Sequence, residues 1–216
     1  MLRILIAGFM LLASTVASSG EVLDRLAATV NGHALLQSDI QDELRYEFFA
    51  AKRPMSEASM DDQKAALDRL IDQELLREQM HSKDFQPVPT EEISKALDAF
   101  KSDYGASPAW TAALAHYKVT EGDIRGHIET ELNQLRLIDL RLRPTVQVDA
   151  ESVRNYYQQQ LLPKLPPGQH LSLQEATPTI RELLIQQKID KSLGSWLEVL
   201  RSQAKIQRFV TGDQAK

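Results

Sequence analysis

Ile93, Ala96, Leu97, Phe100 and Tyr104 recur at three- and four-residue intervals, the clearest such set in the chain. That spacing places them on one stripe of an α-helix, and an apolar stripe must be buried against another element. The pattern repeats along the sequence, each time with punctuation that fits a helix end. Ser38 with Gln41 three residues on reads as a cap for a helix carrying Ile40, Leu44, Phe48 and Phe49, ended by Lys52-Arg53-Pro54. A second helix runs from about Ser59 to Lys83 with Leu67, Leu70, Ile71, Leu75 and Met80. Thr90 caps the stripe at 93–104, with Glu91 and Glu92 in the first turn, where acids suit the helix dipole, and Gly105 closes it. Ser107-Pro108 opens a short helix with Trp110, Leu114 and Tyr117. Thr120, with Asp123 behind it, opens a long one through Ile124, Ile128, Leu132, Leu135 and Leu142, stopped by Pro144. Asp149 caps a further helix with Val153, Tyr156 and Tyr157. Thr177-Pro178 starts the last one, through Ile180, Leu184, Ile189, Leu193, Trp196, Leu197 and Leu200.

Two strand signals flank these helices. Leu26 to Val30 and His33 to Leu36 are short apolar runs joined by Asn31-Gly32, the dipeptide that favours a two-residue hairpin. An isolated hairpin is marginal, so a third strand is expected, and the weak alternation at Lys205 to Val210 supplies one. The fold class is therefore mainly α: a multi-helix bundle completed by a long C-terminal helix, with a small β-sheet joining the N-terminal hairpin to the C-terminal strand. The segment 161–178 is rich in proline and reads as a connector between a helical core at 21–160 and the closing unit at 179–210.

The start of the chain reads as an address. Met1-Leu2-Arg3 precedes an apolar run from Ile4 to Val16, followed by small residues around Ala17 to Gly20. This is the layout of a cleavable secretory signal over residues 1–17, with cleavage between about 17 and 20, and the run is too short to span a bilayer. A protein exported from the cytoplasm, without stable membrane insertion, is expected.

Composition removes several chemistries. The 216 residues include no cysteine, which excludes a disulfide scaffold, a zinc–thiolate site and an iron–sulfur cluster. The net charge of −5 and the lack of a basic block argue against nucleic acid as a partner. His33, His81, His116, His127 and His170 show no metal-ligand spacing, and each reads as a surface or turn histidine. Neither a nucleophile-elbow motif nor a glycine-rich phosphate loop occurs, since Gly122 and Gly126 fall inside a helix pattern. No catalytic, cofactor-binding or metal residue is assigned, and no cofactor is expected. What remains is an aromatic and methionine set, Phe48, Phe49, Met55, Met60, Trp110, Tyr117 and Tyr157, suited to adaptable binding surfaces or to a helix core.

The order of motifs resembles a known family. Val22-Leu23-Asp24-Arg25-Leu26-Ala27-Ala28-Thr29-Val30-Asn31-Gly32, then Leu36-Gln37-Ser38-Asp39-Ile40, looks like the start of the N-terminal domain of SurA-type periplasmic chaperones. Ala66 to Leu76 resembles that family's second helix, and Val88 to Ile93 the entry to its third. Ile180 to Leu184 and Trp196 to Arg201 resemble the helix that follows the isomerase domain in related proteins. Members commonly carry parvulin-type prolyl isomerase domains between these parts, whereas here only Leu161 to Pro178 fills that place. The resemblance implies an ATP-independent chaperone without isomerase activity. It would hold unfolded outer-membrane or secreted proteins in an apolar cradle, with the seven aromatic and methionine residues as the client-binding set. A homodimer, a structural scaffold of the envelope with the same fold, and an isomerase-related enzyme remain as alternatives.

Overall fold

The computed structural model describes residues 24–105, 107–166 and 170–209, so the signal expected at 1–17 lies outside the described residues. Strands β1 (Leu26–Val30) and β2 (His33–Leu36) form the hairpin. Asn31 and Gly32 both take positive φ, 51° and 93°, the geometry a right-twisted two-residue turn needs. Strand β3 (Ile206–Arg208) pairs antiparallel with β1, with Val30 opposite Ile206 and Ala28 opposite Arg208, giving the order β2-β1-β3. Asn31 locks the turn to its surroundings. Its Nδ2 donates to both carboxylate oxygens of Glu78, at 3.0 and 2.7 Å, and its Oδ1 accepts from the Lys205 amide at 2.8 Å.

Seven α-helices follow among the described residues: α1 (Gln37–Ala50), α2 (Met60–Gln79), α3 (Thr90–Tyr104), α4 (Ser107–Tyr117), α5 (Glu121–Leu142), α6 (Ala150–Tyr156) and α7 (Leu173–Gln203). Thr120 caps α5 as expected, and Ser59, where α2 was expected to begin, caps that helix in the same way. Each hydroxyl accepts from the amide three residues on, and the Asp there, Asp62 or Asp123, accepts from the cap amide at 2.8 Å. Asp149 likewise accepts from the Ser152 amide at 2.6 Å.

Four helix ends differ from expectation. The cap of α1 is Leu36, because Asp39 Oδ2 accepts from the Leu36 amide at 2.7 Å, and Ser38 lies inside the helix. Pro89, with its φ already near the helical value, takes the cap of α3 in place of Thr90. Helix α2 ends at Gln79, where the Met80 amide donates to both the Leu76 and Arg77 carbonyls and the chain loosens into turns before Lys83. Helix α7 starts at Leu173, not at Pro178. Ser172 and Glu175 cap it reciprocally, and Pro178, only just past the first turn, removes a single backbone hydrogen bond.

Three apolar clusters hold the elements together. The first joins α1, α3, α4 and the start of α5 around Phe48, Phe49, Ile93, Leu97, Trp110, Ile124 and Ile128. The second packs the sheet on α2, the end of α5 and the end of α7, through Val30, Leu35, Ile71, Leu75, Leu137 and Leu200. The third links α6 to the start of α7 through Val153, Ala176 and Ile180. Helix α7, about 45 Å long at 1.5 Å per residue, thus spans two clusters. Ion pairs fix it at both ends: Arg201 holds Asp72 of α2 with two bonds of 2.7 and 2.6 Å, and Arg143 after α5 holds Glu182 at 2.9 Å. No helix among the described residues is long and apolar enough to cross a membrane.

Candidate functional site

The aromatic set is built around Phe49, which is fully buried at the end of α1. Its ring stacks on Tyr104 at 4.6 Å and meets Trp110 at 5.4 Å, Tyr117 at 5.6 Å and Phe100 at 5.8 Å. The Tyr104 hydroxyl donates to the Phe49 carbonyl, and burial raises its pKa to about 12, so it stays a donor. Cations close the rim: Arg53 lies 4.3 Å over Phe48, Lys52 4.8 Å over Tyr104 and Lys101 5.9 Å from the Trp110 ring.

Two open grooves flank α5 on opposite faces, as its 3.6-residue period requires. On the α3 side lies an apolar groove of about 550 Å³, lined by Tyr46, Ala50, Ala51, Ala96, Phe100, Ile128, Leu132 and Leu135, with Glu47 and Glu131 at its edge. Leu135 is 53% exposed there. It also borders a smaller hollow of about 320 Å³ between α5 and α7, beside Ile138 and Ile189. Leu135 is common to both hollows, and the smaller one also carries Arg136, Asp139 and Gln186.

On the α2 side lies a polar cleft of two adjoining hollows, each about 510 Å³. They share Leu35, Leu70, Gln73, Gly126 and Thr130. Glu43 of α1 lines the first hollow and Glu74 of α2 the second, and both are buried. Glu74 is held by Arg77 through two bonds of 2.6 Å. Glu43 is less well served. Its Oε1 accepts from Gln73 at 3.4 Å and lies 3.6 Å from Arg69 Nε, while Oε2 has no hydrogen-bond donor and faces His127 Nδ1 at 3.7 Å. Burial, then the charge of Glu47, raises the pKa of Glu43. Burial lowers that of His127, whose ring stacks on Tyr46 at 3.9 Å. No group of acids and histidines able to hold a metal ion occurs among the described residues.

No protein-family model matches the chain. Over 155 residues it is 29% identical to the chaperone SurA of Pseudomonas syringae pv. syringae, covering 69% of this chain and 35% of that protein. The chain thus spans about a third of the length of the curated relative it matches. A solved structure from a study of PEB4 and Cj1289, two SurA-like chaperones of Campylobacter jejuni, superimposes with a TM-score of 0.52 at 12% identity. That likeness covers 86% of this chain and 99% of the other. The chain is SurA-like in sequence and in fold.

The SurA-like chain does not gather the seven expected binding residues on one surface. Phe48, Phe49, Trp110 and Tyr117, expected to face a client, are instead buried together in the first cluster. Their apolar mass is satisfied by mutual ring contacts. Met55 is half-buried against the same cluster, and Met60 is exposed at the start of α2. Tyr157 lies apart, half-buried beside the third cluster, its hydroxyl donating to the Leu171 carbonyl at 2.6 Å. His127, read as a surface or turn residue, is instead helical, partly buried and stacked. None of the seven lines the open apolar groove, whose aromatic residues are Tyr46 and Phe100 and whose other apolar lining includes Ala50, Ala51, Ala96 and Leu135; the stripe showed Leu135 but not its exposure.

Proposed function

We propose that this SurA-like protein is an ATP-independent periplasmic chaperone that holds unfolded envelope and outer-membrane proteins and has no prolyl isomerase activity. The observation that carries the reading is the open apolar groove between α1, α3 and α5, with Leu135 exposed on it. An exposed concave apolar surface with charged edges suits weak, sequence-tolerant contacts with unfolded chain. Unfolded barrel strands carry apolar and aromatic side chains at every second position, which such a groove can accept one after another. The names of the relatives agree with this reading. The short stretch between α6 and α7 leaves no isomerase domain at that place in the proposal. A scaffold or dimerisation role is the second reading, and burial of the aromatic set is what favours it.

Light scattering of a urea-denatured outer-membrane β-barrel protein, diluted with and without this protein and without ATP, tests the proposal. Suppressed aggregation near one-to-one stoichiometry is expected, weakened by Leu135→Glu. Unchanged scattering at several-fold excess would overturn it in favour of the scaffold role. A proline-peptide turnover assay should stay at background.

A further inference from the structure

The polar cleft on the opposite face of α5 plays no part in that proposal, yet it has the marks of a recognition site. Its most telling atom is Glu43 Oε2. The residue borders the first hollow and is only 4% exposed, and this buried oxygen has no hydrogen-bond donor, with His127 Nδ1 facing it at 3.7 Å. A buried carboxylate oxygen left without a donor is costly unless something supplies one. The nearby cation, Arg69, is committed to Glu47 and reaches only the other oxygen of Glu43, at 3.6 Å.

The second mark is Gly126, in the interior of α5 and on the floor shared by both hollows. A Cβ placed there would meet nothing within 4 Å. Glycine in a helix interior is unfavourable, and no local packing calls for it here. What the missing side chain does is keep the cleft open. The third mark is charge. Asp39, Asp42, Glu43 and Asp123 line the first hollow, and Lys118 is the only Lys or Arg among its lining residues.

We propose that this cleft binds a basic side chain of an unfolded polypeptide, its guanidinium or ammonium paired with the Glu43 carboxylate, with the flanking chain laid over Gly126 into the adjoining hollow. Two hollows of about 510 Å³ each exceed what a single cationic head group fills, which favours a polypeptide over a free amine. The inference rests on the chaperone reading for the nature of the ligand. It adds a charge preference to a surface otherwise expected to select only for apolar content.

The test uses fluorescence anisotropy with two labelled, unstructured peptides that differ at one central residue, arginine or its neutral isostere citrulline. The arginine peptide should bind about tenfold tighter, the scale of one charge-assisted contact. In Glu43→Gln, which keeps the shape and the contact with Gln73, the two peptides should bind alike. Gly126→Leu fills the floor while leaving the Glu43 carboxylate in place and should weaken the arginine peptide about tenfold or more while the helix stays folded by circular dichroism. Equal binding of both peptides to the native protein, or a preference that survives Glu43→Gln, would overturn the site. Displacement of the arginine peptide by equimolar N-acetyl-arginine amide would overturn the polypeptide assignment. The aggregation assay runs in parallel. Intact suppression with no arginine preference sinks only this site, whereas no suppression and no binding of either peptide sinks the chaperone reading as well.

Discussion

Phe49→Ala is the sharpest test of how the aromatic cluster is used. The side chain is fully buried and four rings lie within 5.8 Å of its centroid. Removing a buried phenylalanine costs about 3–5 kcal/mol, set by how far the site can collapse. Collapse is hard here, because Tyr104 is pinned by its hydroxyl to the Phe49 carbonyl and Trp110 and Tyr117 approach edge-on. Ring pairs add about 0.5–1.5 kcal/mol beyond buried area, though pairs that share one ring do not add fully. The loss should therefore lie near the top of that range, about 5 kcal/mol. For a chain of this size it lowers Tm by about 10–20 °C. Urea titration followed by circular dichroism and tryptophan emission measures it, with the slope unchanged and the midpoint moved. Below its melting range, the variant should suppress aggregation as well as the native protein. A loss under about 1 kcal/mol, or full stability with lost client binding, would refute the packing argument and restore Phe49 as a contact residue.

Gly126→Ala should stabilise the protein by about 1 kcal/mol, since the helix gains propensity and the new methyl meets open space; the urea midpoint reads it. Thr120→Ala removes the hydroxyl that accepts from the Asp123 amide and should cost about 1 kcal/mol, read the same way. Burial holds His127 below its ordinary value of 6.5, so the unfolded chain takes up the proton first. Its contribution should be complete above about pH 6.5 and be lost as pH falls through the lower folded value. Glu43, raised by burial, acts with the opposite sign: its contribution is complete below its ordinary 4.5 and is lost as pH rises through the folded value. His127→Phe should therefore flatten the fall in urea midpoint as pH drops below 6.5, and an unchanged profile would show that another group titrates there.

Local chemistry was readable where a residue and its partner lie within a few positions. Asn31-Gly32 and the Thr120 cap with Asp123 follow from short-range patterns that the tertiary structure keeps. Ser38 misled because Asp39, three residues after Leu36, accepts from the Leu36 amide and so starts the helix two residues earlier. Pro178 misled because it is a stop signal in a helix interior, yet close to a helix start it costs little. The functional surfaces were harder to foresee, for a geometric reason. Glu43 and His127 are brought together by the packing of α1 on α5, and no spacing in the sequence encodes that approach. The aromatic residues drew attention by size, but size is what a core consumes first. The groove takes Tyr46 and Phe100, outside the expected set, together with alanines and with leucines such as Leu135.

The pairing of β3 with β1 has a consequence for how the molecule is made. It joins strands from nearly the whole described length apart, whereas α1 to α5 close their cluster through neighbours in the chain. Loop closure delays such distant pairings, so the helical cluster should form first and the sheet last. A chain emerging from its N-terminal side would meanwhile carry Val30, Leu75 and Leu137 uncovered until α7 arrives with Leu200. During its own synthesis the protein would pass through a state with the same kind of uncovered apolar surface that it is proposed to shield in others.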